Sequence, residues 1–327
     1  MMRGAAVAVA IAIALACSAC DPSGLGRSNP DFRIVGHRGA PLAAPENTLR
    51  SFEVAVALGA NAIETDVCLT RDDVFVIWHD ADPDSAVALA RQSGAEGLAY
   101  VPRVPNIDNE WRRPVRELTL DELRAHYGYA DPLGALDPTA QIPLVRDVIE
   151  WAQKETRLRW IYWDIKVPST EEATRFMDEV SLQFQDPSLS HVTPIFLHVA
   201  RETAAAMEAE RIRVGGERFR VAWDHEVPGA LENTIGVGLR DVSTGLTPAH
   251  SYFGYKREVA ELVDARERGE IDSVTVWTFD DEMKLAELLY YSVDGVMTND
   301  PGLLYRMWRS TMLAPAAAAR LTRRIAP

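Results

Sequence analysis

The sequence predicts an α/β fold, a (β/α)8 TIM barrel with an insertion after the third strand. From Phe32 onward, short apolar runs alternate with segments of helical periodicity along most of the chain. Such alternation is typical of parallel strands joined by helical crossovers. The 327 residues have ordinary globular composition, with 47% hydrophobic and 25% charged residues. An α/β barrel of about 250 residues forms a single domain, so the length does not require two domains.

The first elements of the barrel are predicted from local signals. An initial strand, Phe32–Gly36, ends in a Gly-His-Arg-Gly turn. A helix capped by Asn47 or Thr48 follows and continues to Gly59, because its apolar residues recur at helical spacing. Two further strands are predicted at Ala60–Val67 and Val74–Trp78, with a tight turn between them.

The rest of the body resumes the alternation after an interruption. Residues 81–141 contain several prolines and little periodicity, so we interpret them as an insertion on one face of the barrel. The predicted helices are Leu144–Thr156, Thr170–Gln183, Arg201–Arg211, Lys256–Glu267 and Asp280–Tyr291. The predicted strands are Leu158–Ile165, Val192–His198, Phe219–Trp223, Thr234–Leu239, Ser273–Thr278 and Gly295–Thr298. The sequence contains nine candidate strands, whereas a (β/α)8 barrel has eight. Thr234–Leu239 is the weakest candidate, so we interpret it as an insertion.

The first twenty residues predict a targeting segment. A charged start precedes an apolar run from Ala5 to Ala16, which is too short to span a bilayer as a helix. Small residues then precede a cysteine, as in bacterial lipoprotein signals, and Cys20 fits this pattern better than Cys17. The alternative is an ordinary secretory signal. We expect a signal at 1–20, a flexible tether at 21–31, the barrel at 32–306 and a tail at 307–327. The protein is then exported and membrane-anchored through lipidated Cys20, on the periplasmic or cell-surface side.

The charge balance limits the kinds of partner. Acidic residues outnumber basic residues by 48 to 34, and the formal net charge is -14. Nucleic-acid binding depends on clustered lysine and arginine, so we expect no nucleic-acid partner. A divalent cation or one phosphate group in a pocket remains compatible with this charge. Three cysteines are too few for a disulfide framework.

Ionisable residues gather where four predicted strands end. Because the catalytic groups of a barrel lie at the carboxyl ends of its strands, we expect these side chains to meet. A salt bridge or a structural histidine would explain any one of them alone, but four successive strand ends together favour a functional site. The residues are His37, Arg38, Glu64, Asp66, His79, Asp80, Asp164 and Lys166.

This set of side chains suits phosphodiester cleavage. The three carboxylates at 64, 66 and 164 supply oxygen ligands for Mg²⁺ or Ca²⁺. Zinc is disfavoured, because the sequence after the predicted signal has only one cysteine, Cys68, and no paired-histidine helix motif. Two histidines can act as general acid and base. Arg38 and Lys166 can hold a phosphate and stabilise the charge that develops on it.

The motifs resemble those of the glycerophosphodiester phosphodiesterase family over roughly residues 33–305. The matching points are Gly36–Gly39, Pro45–Thr48, Gly59, Ile63–Val67, Thr70, Asp72, His79–Asp80, Ile142–Leu144, Trp163–Lys166, Val276–Thr278 and Val293–Pro301. The resemblance implies a TIM barrel that hydrolyses glycerophosphodiesters to an alcohol and glycerol 3-phosphate with a divalent cation. It also implies roles by position: His37 and His79 as the acid/base pair, Glu64, Asp66 and Asp164 as metal ligands, Arg38 and Lys166 as phosphate contacts, Glu46 at the metal site or just behind its ligands, and Trp277 as a pocket wall.

Several positions depart from the family pattern. Asp164 stands where the family usually has glutamate, and Asn299 where it usually has aspartate; Ala81–Asp84 also differs from the usual stretch after the His-Asp pair. These departures leave three hypotheses: the family reaction, a lysophospholipase D-like or other phosphodiesterase activity at the same site, and a surface lipoprotein that binds without catalysis. The segment Trp223–Glu226 is a further candidate for the pocket. The sequence does not indicate an oligomeric state.

Overall fold

The computed structural model describes residue 29, residues 31–130 and residues 140–312. Eleven strands are found in this part of the chain: β1 Arg33–Gly36, β2 Ala62–Leu69, β3 Phe75–Ile77, β4 Val101–Arg103, β5 Gly128–Ala130, β6 Trp160–Ile165, β7 Thr193–His198, β8 Arg220–His225, β9 Asp241–Gly245, β10 Ser273–Trp277 and β11 Gly295–Thr298. The helices are α1 Leu49–Ala57, α2 Ala86–Gln92, α3 Leu120–His126, α4 Val145–Ala152, α5 Thr170–Gln183, α6 Arg201–Arg213, α7 Ala230–Gly236, α8 Tyr252–Glu267, α9 Glu282–Tyr291 and α10 over residues 301–312.

Eight parallel strands close into a barrel, which confirms the predicted fold class. The ring runs through β1, β2 and then β6 to β11 in order. It closes because β1 pairs in parallel with both β2 and β11. Helices connect the successive strands and cover the outside of the ring, as expected for crossover connections.

The number of barrel strands was predicted correctly, but one assigned strand lies outside the ring and one strand of the ring was missed. Val74–Trp78 was expected in the ring, whereas β3 pairs antiparallel with the end of β2 and lies outside the closed barrel. Thr234–Leu239, which we interpreted as an insertion, is indeed not a strand: its first three residues end helix α7, and the strand missing from the prediction is β9. Strand β9 escaped prediction because its inward side is polar. Its Asp241 accepts a 2.5 Å hydrogen bond from Ser273 inside the barrel.

The predicted insertion contains regular structure of its own. Helix α2 is followed by the antiparallel pair of β4 and β5, with α3 between the two strands. Apolar residues of this segment, among them Val115, Leu118 and Tyr129, pack around Trp78 in a separate cluster. The insertion is therefore attached to the barrel through the residues that follow β3.

The described chain begins at the amino-terminal end of the barrel. The backbone N–H of Arg33 donates a 2.8 Å hydrogen bond to the carbonyl of Asp294, just before β11. The Asn29 amide lies 3.5 Å from the Asp294 carboxylate. The predicted signal, with Cys17 and Cys20, lies outside the described residues, as does the tail from 313 onward. Within the described ranges no helix is long and apolar enough to cross a bilayer.

Candidate active site

Three carboxylates meet at the carboxyl ends of β2 and β6. The two strands pair so that Asp66 lies directly opposite Asp164, and Glu64 precedes Asp66 on the same side of β2. Each of the three side chains is buried and offers an oxygen within 4.8 Å of the others. The structure thus brings together all three residues that the sequence singled out as a carboxylate cluster.

The cluster fits a divalent cation. One oxygen of Glu64 (Oε1) and one of Asp164 (Oδ1) are buried without a hydrogen-bond donor among the described residues. Burial, followed by the charges of Asp66 and Asp164, raises the pKa of Glu64 well above its ordinary value. Carboxylates held this close are costly unless a cation or proton neutralises them. An oxygen-only donor set of this kind suits Mg²⁺ or Ca²⁺.

Lys166 follows the cluster on β6. Its Nζ lies 2.5 Å from Asp164 Oδ2 and 3.4 Å from Asp66 Oδ1. Burial opposes the charged form, but the charges of Asp164 and then Asp66 outweigh it and raise the pKa of Lys166 above its ordinary value. Lys166 therefore carries a fixed positive charge at the edge of the cluster.

Arg38 reaches the cluster from the turn after β1. This turn needs left-handed backbone, with φ of +53° at Arg38 and +93° at Gly39. A side chain on Gly39 would also overlap Ser51 of α1, so glycine is required there. The turn directs the Arg38 backbone N–H to Glu64 Oε2 at 2.9 Å, and the Arg38 Nε lies 3.2 Å from Asp66. A second positive charge thus borders the carboxylates.

One ring nitrogen of His37 is hydrogen-bonded to a neighbouring side chain, and the other keeps its lone pair. Its Nδ1 lies 2.8 Å from the side-chain oxygen of Asn299, whose amide nitrogen donates to Asp280 at 2.7 Å. The Asp280 contact fixes the amide orientation, so His37 Nδ1 must carry the proton. His37 Nε2 then keeps its lone pair and lies 4.0 Å from Glu64. Burial, and next the charge of Arg38, lowers the pKa of His37 to about 4.

His79 has the same arrangement with a different partner. Its Nδ1 lies 2.6 Å from the Asp80 carboxylate, so it donates its proton there and leaves Nε2 available. Burial, followed by the charge of Arg38, lowers the pKa of His79 well below its ordinary value. Burial also raises the pKa of Asp80 to about 6. Both candidate histidines therefore present an unprotonated Nε2 near neutral pH.

Glu46 lies behind Arg38 and is not one of the clustered oxygens. It accepts a 3.0 Å hydrogen bond from Arg38 Nη1, and its other oxygen contacts Arg91 of α2. The next residue, Asn47, is fully buried and supports the cluster instead of capping α1, which Thr48 does. Its amide nitrogen donates to Asp66 Oδ2 at 2.8 Å.

The sequence assigned no supporting role in the site to three residues: Asn47, which was a candidate helix cap, Asp80, which was named only among the strand-end residues, and Arg91. Asn47 belongs to the Pro-Glu-Asn-Thr motif. A polar residue beside Glu46 could have indicated a site residue, but helix capping already accounted for it. Asp80 follows His79 directly, so adjacency was its signal. Arg91 had no signal, because nothing in the sequence connects α2 with the strand ends.

Trp277 and Asp224 lie on the other side of the barrel mouth. The indole Nε1 of Trp277 donates a 2.7 Å hydrogen bond to Asp224 Oδ1, and Ser243 donates to the same oxygen. The Trp277 ring packs against Gly245, where any side chain would overlap it. Of the predicted Trp223–Glu226 segment, Asp224 thus turns toward the barrel interior, whereas His225 bonds Thr234 of α7.

The fold and the geometry together define the class. This is a (β/α)8 barrel whose carboxyl-terminal mouth holds buried carboxylates, two histidines held through Nδ1, and the positive charges of Arg38 and Lys166. Residues 37–220, more than half of the chain, match the sequence profile of the glycerophosphoryl diester phosphodiesterase family. The chain belongs to this family, and the predicted family assignment is confirmed.

Individual proteins agree with this assignment. A 53-residue stretch is 51% identical to glycerophosphodiester phosphodiesterase domain-containing protein 4 of Mus musculus, covering 16% of this chain and 8% of that protein. The fold matches a glycerophosphodiester phosphodiesterase from Parabacteroides distasonis with a TM-score of 0.62 at 17% identity, over 86% of this chain and 98% of the other. An Oleispira antarctica phosphodiesterase, solved with its product sn-glycerol-3-phosphate, gives 0.60 at 17% identity, over 86% and 96%. The chain spans less than half the length of the curated relatives that it matches by sequence.

Proposed function

We propose that this chain hydrolyses glycerophosphodiesters to an alcohol and glycerol 3-phosphate. The observation that carries the proposal is the pair His37 and His79, each with Nδ1 committed and Nε2 available, beside buried carboxylates and two positive charges. A phosphodiester cleavage needs these groups: proton transfer at two oxygens and stabilisation of a charged phosphate. The glycerol 3-phosphate product held by the related Oleispira antarctica barrel supports this choice of substrate.

The carboxylates of Glu64, Asp66 and Asp164 would hold the cation, Mg²⁺ or Ca²⁺. When bound, such an ion supplies Lewis-acid polarisation of the phosphate and neutralises part of its charge. Asp164 fits this role although it is shorter than the usual glutamate, because its Oδ1 is buried and has no donor among the described residues.

The remaining steps fall to side chains of this chain. Arg38 and Lys166 orient the phosphate and stabilise the negative charge that grows on its oxygens. The Nε2 of one histidine removes a proton from the attacking group, which is water or the neighbouring glycerol hydroxyl. The other histidine takes up a proton at Nε2 from solvent once the anionic phosphate is bound, and delivers that proton to the leaving oxygen. Neither Nδ1 can exchange roles with Nε2, because Asn299 and Asp80 hold them.

A turnover assay on a panel of diesters tests the proposal. We expect release of glycerol 3-phosphate from glycerophosphodiesters, loss of the activity with a chelator, and recovery on adding Mg²⁺ or Ca²⁺. His37→Ala and His79→Ala should each lower kcat by about 10²-fold or more. His191→Ala is the matched control, because His191 contacts only a backbone carbonyl, at 3.2 Å, among the described residues.

The same panel separates the competing hypotheses. Faster turnover of lysophospholipids than of glycerophosphodiesters would instead favour a lysophospholipase D-like enzyme. Cation binding without turnover of any diester would favour a non-catalytic binding protein.

We also propose that the protein is exported and anchored through a lipid on Cys20. The support is the sequence pattern of residues 1–20 alone. Incorporation of labelled palmitate in a bacterial host tests it, with Cys17→Ala as the control. Label should be lost in Cys20→Ala and kept in Cys17→Ala, whereas a secreted, unlabelled protein would indicate an ordinary cleaved signal.

A further inference from the structure

Arg91, on the inserted helix α2, is buried against three carboxylates. Its side chain is only 1% exposed. Its Nε donates to Asp80 Oδ1 at 2.9 Å, its Nη2 contacts Glu46, and its Nη1 donates to Glu96 at 2.5 Å. Placing a charged side chain at such depth is costly unless several partners receive its hydrogen bonds.

Two of these carboxylates hold groups of the active site. Asp80 Oδ1, which accepts from Arg91, also accepts the proton of His79 Nδ1 at 2.6 Å. The other oxygen of Glu46 accepts from Arg38 at 3.0 Å. The Arg91 guanidinium therefore contacts the carboxylates that hold both His79 and Arg38. It reaches these carboxylates from the insertion, outside the barrel.

The two connections differ in how much they depend on Arg91. Arg38 also lies 3.2 Å from Asp66 and is tied to Glu64 through its backbone N–H, so it keeps other supports. The Asp80 carboxylate has no donor besides Arg91 and His79 among the hydrogen bonds of the described residues. The orientation of His79 is therefore the property that depends most on Arg91.

We propose that Arg91 is a positioning residue: it fixes the Asp80 carboxylate and thereby holds His79 in its working orientation and tautomer. The proposal rests on the function proposed above. A planar guanidinium can bridge Asp80 and Glu46 with separate N–H groups, whereas a lysine ammonium is a single point of charge. The insertion then contributes to catalysis through α2.

Arg112 provides a matched control within the same insertion. Its side chain is 3% exposed, and it donates to Asp84 at 2.7 Å and to Gln92 at 3.1 Å. None of these partners contacts a residue of the active site. Arg112→Met therefore removes a guanidinium about as buried as that of Arg91, although its partner Asp84 is 59% exposed, and should destabilise the insertion without disturbing His79.

The test compares kcat, KM and Tm for Arg91→Met, Arg91→Lys and Arg112→Met on a cleaved diester. We expect Arg91→Met to lower kcat at least 30-fold with KM changed less than threefold, and Arg91→Lys to recover part of the loss. Arg112→Met should lower Tm but keep kcat within threefold. Equal kcat losses in Arg91→Met and Arg112→Met, or no loss in either Arg91 variant, would overturn the proposal.

Coupling to Asp80 provides a second criterion. If Arg91 acts through Asp80, the double variant Arg91→Met/Asp80→Asn should be no slower than the slower single variant, because the same interaction is lost twice. If the kcat loss of the double variant equals the product of the two single-variant losses, Arg91 acts through a group other than Asp80. Arg91→Lys serves for the same cycle if Arg91→Met does not fold.

A spectroscopic measurement separates this proposal from the proposed function. The ¹⁵N shifts of the His79 ring report its tautomer and hydrogen bonding without any turnover. They should move in Arg91→Lys and remain unchanged in Arg112→Met. If the wild type cleaves no diester, the proposed function fails, but the ¹⁵N shifts still show whether Arg91 positions His79. Unchanged His79 shifts in both Arg91→Lys and Arg91→Met would overturn the positioning role of Arg91.

Discussion

At the residue scale, the two histidines differ in the group that holds Nδ1. His79 donates to the carboxylate of Asp80, whereas His37 donates to the neutral amide of Asn299. A carboxylate stabilises the imidazolium form, but an amide oxygen fixes the tautomer with much less effect on charge. The departure at Asn299 therefore keeps the geometry that a family aspartate would provide and removes its negative charge.

This difference predicts a pH effect. In the double variant Asn299→Asp/Asp280→Asn the amide and carboxylate exchange places, so His37 Nδ1 donates to a carboxylate. The pKa of His37 should then rise from about 4. If His37 must be unprotonated to act, the acid limb of the kcat/KM profile moves up by about 1–2 pH units.

Asp280→Asn alone is the control for this exchange, because it changes the neighbour without placing a charge on His37. Its acid limb should stay where the wild-type limb lies. An unmoved limb in a folded double variant would show that His37 does not set the acid side of the profile.

Asp224 predicts a pH dependence of stability. Burial, and next the charge of Asp164, raises its pKa to about 7. The folded state thus binds the proton more tightly than the unfolded chain, whose aspartates titrate near pH 4. Stability is therefore lost as pH rises from about 4 to about 7. Asp224→Asn, which can still accept from Trp277 and Ser243, should escape this loss.

Denaturant unfolding with a chelator present measures the effect. The free energy of unfolding of Asp224→Asn relative to wild type should increase by at most about 4 kcal/mol between pH 4 and pH 8. A difference that stays constant with pH would contradict the raised pKa.

At the element scale, the apolar pattern predicted the strands in which at least half of the residues are apolar. It found β6, β7, β10 and β11 within two residues at each end. It missed β9 because a barrel strand needs an apolar face only toward the helices; its inner face here carries Asp241 and Ser243. It misplaced β3 because an antiparallel pair on the end of β2 has the same local pattern as a barrel strand.

The candidate site was predictable to the same extent. Residues at strand ends are brought together by the fold itself, so Glu64, Asp66 and Asp164 followed from strand spacing. Arg91 did not, because the path of an insertion over the barrel is decided by tertiary packing that no local pattern records. Supporting residues on such segments become visible only in three dimensions.

The end of strand β9 allows a prediction about the addition of one methyl group, at Gly245. Gly245 ends β9 where the Trp277 ring covers its backbone, and a side chain there would overlap the ring. Gly245→Ala should displace the indole, weaken its bond to Asp224 and destabilise the protein by about 1–3 kcal/mol. Tryptophan fluorescence and thermal unfolding check this, with Gly236→Ala as a control because a side chain there would meet only the Arg201 guanidinium, 4.0 Å away.

At the scale of the whole molecule, the carboxylate cluster should couple cation binding to stability. An ion that binds only the folded barrel stabilises it by about 2.7 kcal/mol at a hundredfold excess over Kd. We expect Mg²⁺ or Ca²⁺ to raise Tm by several degrees in a saturable manner. Glu64→Gln/Asp164→Asn should abolish the increase, and an equal increase in this variant would show that the ion binds elsewhere.

The amino-terminal end of β1 has a consequence for how substrate arrives. The described chain starts beside Asp294, on the rim opposite the carboxylates and histidines. An amino-terminal lipid, if present as proposed, would hold the protein by its base and leave the mouth facing the surrounding solution. Attachment at that rim would favour water-soluble diesters already released from lipids over molecules still embedded in the bilayer.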